Sequence, residues 1–97
     1  NFLGLARRAG KVVSGQDTLL AAVRSGEIYF LFLASDTGQA TAKKFRDKAN
    51  YYHVALNNSY TKEVLSAAIG SKRTIIGISD LGMANKFKQL TTEKKGE

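Results

Sequence analysis

The chain holds one histidine and no cysteine, which excludes thiolate zinc sites, cysteine nucleophiles, disulfide frameworks and any two-histidine mechanism. Of its eight acids, Asp17, Glu27, Asp36, Asp47, Glu63 and Asp80 are scattered, with no two sharing a face by helical spacing. Glu93 and Glu97 do have that spacing, but they fall in the polar segment 91–97, where fraying is expected. Paired-carboxylate and metal–carboxylate chemistry therefore lack support. His53 lies between Tyr52 and Val54 in a run that reads as strand, so a satisfied, partly buried imidazole is expected there rather than a base or ligand. A phosphate loop fails on spacing: five residues separate Gly4 from Gly10-Lys11, and Val12 stands where Ser or Thr is required. No Gly-x-Gly-x-x-Gly follows a strand, and there is no Gly-x-Ser-x-Gly elbow. The residues point to no enzyme, cofactor, metal or small-molecule substrate.

What does cluster is polar and basic, at turns. Gly15-Gln16-Asp17-Thr18 follows a strand and opens a helix. Such a turn presents backbone N–H groups at the positive end of the helix dipole. Any strand-to-helix connection needs a flexible glycine and a polar start, so both readings of this turn stay open. Ser71-Lys72-Arg73, before the last strand, is a second polar loop with two cations, which a solvated turn would also explain. Lys62 falls in the first turn of a helix, unfavourable to the dipole, which hints at a purpose other than helix stability.

The elements that must position these residues follow from periodicity. Phe2, Leu3, Leu5 and Ala6 mark a short helix that stops at Gly10, and Lys11–Ser14 reads as strand. A helix with Leu19, Leu20, Ala22 and Val23 inside opens at Gln16 or Asp17 and closes at Ser25-Gly26. Ile28–Ala34 carries no charge and reads as a central strand. Ser35-Asp36-Thr37 leads into the next helix as a capping loop. That helix turns Ala42, Phe45 and Ala49 inward and Lys43, Lys44, Arg46 and Lys48 outward. Tyr51–Leu56 is the third strand; Ser59 with Glu63 forms an approximate capping box before a helix over Thr61–Ile69. Thr74–Ser79 is the last strand, and Asp80-Leu81-Gly82 leads into a final helix with Met83, Phe87 and Leu90 inside.

Strands alternating with helices imply an α/β fold, a three-layer α-β-α sandwich on a mixed or parallel sheet. Ninety-seven residues suit one domain over 1–97. No apolar run approaches the roughly 20 residues of a membrane span, and no signal peptide is visible, so no membrane partner is expected and the cytoplasm is the expected location. The net charge of +7 fits a nucleic-acid partner, although surplus lysine also serves solubility. The surplus is three in residues 1–26, one in 27–58 and three in 59–97, so a basic face must be assembled from both ends of the chain.

The stretches Leu3–Gly15 (LGLARRAGKVVSG) and Arg73–Asp80 (RTIIGISD) resemble the L7Ae/L30e ribosomal-protein family. Asn50-Tyr51-Tyr52 and Gly82-Met83-Ala84-Asn85-Lys86 resemble its small bacterial branch of the YlxQ type. The likeness covers nearly the whole chain. It implies a four-stranded mixed sheet and a non-catalytic function: binding a kink-turn, a sharply bent RNA element with tandem sheared G·A pairs, in ribosomal or other structured RNA. On this resemblance Gly15, Gln16, Asp17 and Thr18 form the primary RNA contact, with Lys11, Lys62, Lys72 and Arg73 in support. The departures are Asp17 where the family carries Asn, Thr18 where it carries Glu and Ala21 where many members carry Lys. Asp17 replaces a donor–acceptor with a charged acceptor beside phosphate. A translation-associated protein-interaction module that has lost kink-turn recognition is the alternative these departures favour.

Overall fold

A computed structural model describes the backbone over residues 2–95 and the side chains over residues 2–90. The order is α1 (Phe2–Arg8), β1 (Val12–Ser14), α2 (Gln16–Arg24), β2 (Phe30–Leu33), α3 (Gln39–Tyr51), β3 (Ala55–Asn57), α4 (Lys62–Ile69), β4 (Ile75–Ile78) and α5 (Leu81–Lys95). The strands form one mixed sheet in the order β1-β4-β2-β3. β2 and β3 run parallel, while β4 lies antiparallel between β1 and β2.

The alternating faces of β2 and β4 explain the layers. Phe30, Phe32, Ile76 and Ile78 project into one core beneath α1, α4 and α5. Leu31, Leu33 and Ile75 project into a second core beneath α2 and α3, with Leu19, Val23 and Phe45. Every residue of β2 and β4 is buried, as central strands covered on both faces require. This is the expected three-layer α-β-α sandwich with a four-stranded mixed sheet.

Gly77 in β4 permits the close seating of α2. A Cβ there would collide with Leu19 Cδ1 and come within 3.1 Å of Ile28 Cδ1. Any side chain at this position would have to displace the buried Leu19 side chain of α2, so the strand glycine leaves room for the helix that carries the first turn of the site.

Several boundaries differ from the sequence expectation. The strand expected at Tyr51–Leu56 forms only over Ala55–Asn57, because the stripe Ala42, Phe45, Ala49 carries α3 on through Tyr51. Val54 N donates to Ala49 O (2.8 Å) as the chain leaves that helix. His53 is thus exposed in a turn, at φ 58°, rather than partly buried in a strand. Ser59 does not cap α4; Thr61 does, its Oγ1 accepting from Val64 N (3.2 Å). Asp36 caps no helix of its own, since Gly38 stands at the start of α3; its Oδ1 instead accepts from Lys62 N (2.8 Å), twenty-six residues on. Asp80 Oδ2 accepts from Met83 N (2.9 Å) at the start of α5. The α5 backbone is helical to Lys95, where the polar composition suggests fraying; residues 96 and 97 lie outside the described residues.

Candidate nucleic-acid interface

The registers gather particular residues at one end of the sheet. Ser14 pairs with Ile76, Leu33 with Ile75, and Phe32 with Asn57. The C-terminal ends of β1, β2 and β3 and the beginning of β4 therefore lie side by side. The starts of α2, α3 and α4 and the 70–74 loop all emerge at this end. Three helix N-termini oriented this way give it a positive potential from the backbone alone.

Gly15 starts α2. It adopts φ 91°, ψ 127°, on the side of the map that L side chains rarely enter, and supplies no side-chain cap. Its carbonyl accepts from Leu19 N (2.9 Å), which closes the first turn. Gln16, Asp17 and Thr18 follow with exposed side chains, and their N–H groups belong to the donors a helix N-terminus leaves without intrahelical partners. Asp17 is the acid of this first turn, where the dipole favours it but a phosphate would not.

Arg73 is brought directly to this turn. Its Nε donates to Ser14 Oγ (3.1 Å), and its Nη1 donates to the Lys72 carbonyl (2.7 Å). Ser66 Oγ of α4 accepts from Arg73 N (3.0 Å) and donates to Arg73 O (3.3 Å), fixing the loop backbone. Two of the five guanidinium donors are used in these bonds and three are left to an external acceptor. The side chain is exposed yet oriented.

The other cations fall into different relations to the turn. Lys72 is exposed in the same loop. Lys62 sits at the same sheet end, but above β2 and β3, where Asp36 holds its backbone N–H. At about 4.8 Å per strand it is two or three strands, some 10–14 Å, from the Gly15 turn. Lys11 is not gathered there. Its carbonyl accepts from Ser79 N (2.9 Å) and Ser79 Oγ (3.2 Å) at the opposite end of the sheet, about 13 Å along β1 from Gly15. Lys43, Lys44 and Arg46 are exposed along α3, Lys43 pairing with Asp47 (2.8 Å). The Asp47 carboxylate, through hydrogen bond and charge, raises the Lys43 ammonium above its ordinary value.

Ser14, Ser66 and Asp36 escape the sequence reading. Ser14 and Asp36 act on residues fifty-nine and twenty-six positions away, which strand pairing brings to them, and Ser66 acts across the turn that closes α4, seven positions from Arg73. Among the described residues no group of three or more His, Cys, Asp or Glu side chains is placed to hold a metal ion. No helix among them is long and apolar enough to cross a membrane.

The model of the ribosomal protein L7Ae/L30e/S12e/Gadd45 family matches residues 1–88, and the chain is a member of that family. Its relatives narrow the comparison. The chain is 37% identical over 90 residues to the RNA-binding protein YlxQ of Enterococcus faecium, covering 93% of this chain and 87% of that one. It is 40% identical over 90 residues to the RNA-binding protein YlxQ of Bacillus subtilis (strain 168), covering 92% and 90%. A solved structure of a protein of unknown function from Bacillus halodurans C superposes with a TM-score of 0.88 at 34% identity, over 92% of this chain and 91% of that one.

Proposed function

We propose that this protein is a non-catalytic RNA-binding protein that recognises a kink-turn in structured RNA, ribosomal or other, in the cytoplasm. The observation that carries the reading is the Arg73 guanidinium held against Ser14, immediately before the Gly15 turn. That arrangement sets a pre-oriented cation beside the N–H groups of α2. A sharp RNA bend crowds phosphates, and the protein stabilises it by binding the bent state better than the extended one. The Gly15–Thr18 turn meets the irregular base edges, Arg73 and Lys72 meet phosphate from the other side, and Lys62 reaches phosphates farther along the backbone. Lys11, at the opposite end of the sheet, serves only an RNA long enough to wrap the β1 edge. The family membership and the RNA-binding names of both YlxQ relatives support an RNA partner.

The test is a gel shift at fixed salt with a kink-turn RNA and the same RNA with its G·A pairs replaced. Recognition predicts at least about tenfold tighter binding of the kinked RNA, or 1.4 kcal/mol. Equal affinity for the two would instead leave the family fold as a protein-interaction module, the outcome that exposed Asp17 and Ala21 favour.

A further inference from the structure

Beneath α1, α4 and α5, on the side of the sheet opposite α2, lies an open groove of about 290 Å³. Its floor is aromatic and fixed. Phe32 and Phe87 meet edge to face at a 4.9 Å centroid distance, Phe2 packs on Phe87 at 4.8 Å, and Tyr60 packs on Phe32 at 6.1 Å. Val64 of α4 and Leu90 of α5 stand on its walls, 51% and 41% exposed. Among the described residues of the lining, Tyr60 alone carries a polar side-chain group. The volume lies at the small end of metabolite pockets, and the convergent polar groups that orient a metabolite are missing from the lining. Apart from the Tyr60 hydroxyl, the described lining offers no side-chain hydrogen-bond partner for base edges. Walls of branched aliphatics over an aromatic floor suit the apolar anchors of a helix laid into a groove.

The charge carried by the helices that form the groove argues for the occupant. Through residue 90, α1, α4 and α5 carry Arg7, Arg8, Lys62, Lys86 and Lys88 against the single acid Glu63. Lys86 is exposed one turn before Leu90, on the same face of α5. A second copy of a chain with net charge +7 would meet this basic frame with repulsion. An acidic segment would be drawn to it.

We infer that the α1–α4–α5 groove docks an acidic amphipathic helix of a protein partner, with apolar anchors at i, i+3 or i+4 and i+7. The floor is preformed by ring packing, so binding orders few groups on this side. No residue of the groove lining belongs to the Gly15–Thr18 turn or to the 70–74 loop.

The test uses isotope-labelled protein and a synthetic helical peptide carrying Leu at those anchor spacings and Glu elsewhere, beside a peptide with Lys in place of Glu. Amide shifts report the site and fluorescence anisotropy reports the affinity. Saturable binding of the Glu peptide is expected, with shifts at Phe2, Val64, Ala68 and Leu90, at least about tenfold tighter than the Lys peptide. Leu90→Ser and Lys86→Glu, both at exposed positions, are each expected to weaken it about tenfold while leaving kink-turn RNA affinity unchanged. The inference is overturned by equal binding of the two peptides, by shifts centred on Gly15 and Arg73, or by no saturation below about 1 mM. Stronger perturbation of the same four residues by an oligouridine would also overturn it, in favour of a nucleic-acid groove. RNA affinity is read separately, so failure of the peptide arm leaves the kink-turn proposal standing.

Discussion

Replacing Arg73 with alanine isolates the contribution of one oriented cation. In the free protein the guanidinium gives one hydrogen bond to Ser14 Oγ and one to the Lys72 carbonyl, both at the surface. Losing them costs about 0.5–1.5 kcal/mol each at most, less for exposed bonds, so the fold persists and binding can be measured well below its melting point. With RNA, three guanidinium donors remain for phosphate or a base edge, enough for a forked contact with one phosphate. Loss of that contact is expected to weaken kink-turn binding by about 1–3 kcal/mol, roughly 5- to 150-fold. Anisotropy titrations at several salt concentrations provide the assay. Binding should weaken steeply with salt for the unaltered protein, and for Arg73→Ala the slope of log K against log salt should become shallower by about one unit. Arg73→Lys keeps the charge but loses the fork, so it should fall between the two. An unchanged affinity at fixed salt removes Arg73 from the site, and a lowered affinity with an unchanged slope refutes phosphate as its partner.

Three further substitutions probe the surrounding design. Asp17→Asn should bind kink-turn RNA more tightly while losing about 0.3–1 kcal/mol of stability, because the carboxylate suits the helix dipole and opposes phosphate; weaker binding would mean that the carboxylate accepts from a base amino group. Gly77→Ala should destabilise by about 1–3 kcal/mol in urea titration, since its methyl must displace Leu19 of α2, and a neutral result would show that α2 shifts freely over the sheet. His53→Gly should raise the denaturation midpoint by the equivalent of about 1 kcal/mol, because the position sits at φ 58° with an exposed side chain; a lower midpoint would mean that the imidazole makes a stabilising contact.

The sequence was legible where the signal is local. Uninterrupted apolar runs at Phe30–Leu33 and Ile75–Ile78 mark strands covered on both faces, and the glycines at 10, 26 and 70 mark helix ends. It misled where two local signals compete. At Tyr51–Leu56 aromatic and branched residues favour strand, yet the inward stripe of α3 takes the first of them into the helix. At Ser59 and Thr61 two hydroxyl residues offer themselves as cap, and only Thr61 lies within reach of the third helical N–H.

The candidate site divides in the same way. Gly15 through Thr18 form one turn, so their grouping is a matter of chain order and composition. Whether Lys11, Lys62, Lys72 and Arg73 join them depends on pairings between strands about sixty residues apart. Because β4 runs antiparallel to β1, the start of one strand meets the end of the other, which seats Arg73 beside Ser14 and carries Lys11 to the far end. Chain order alone determined the glycine-led helix start and the +7 charge; only the tertiary register decided which of those charges stand beside the turn.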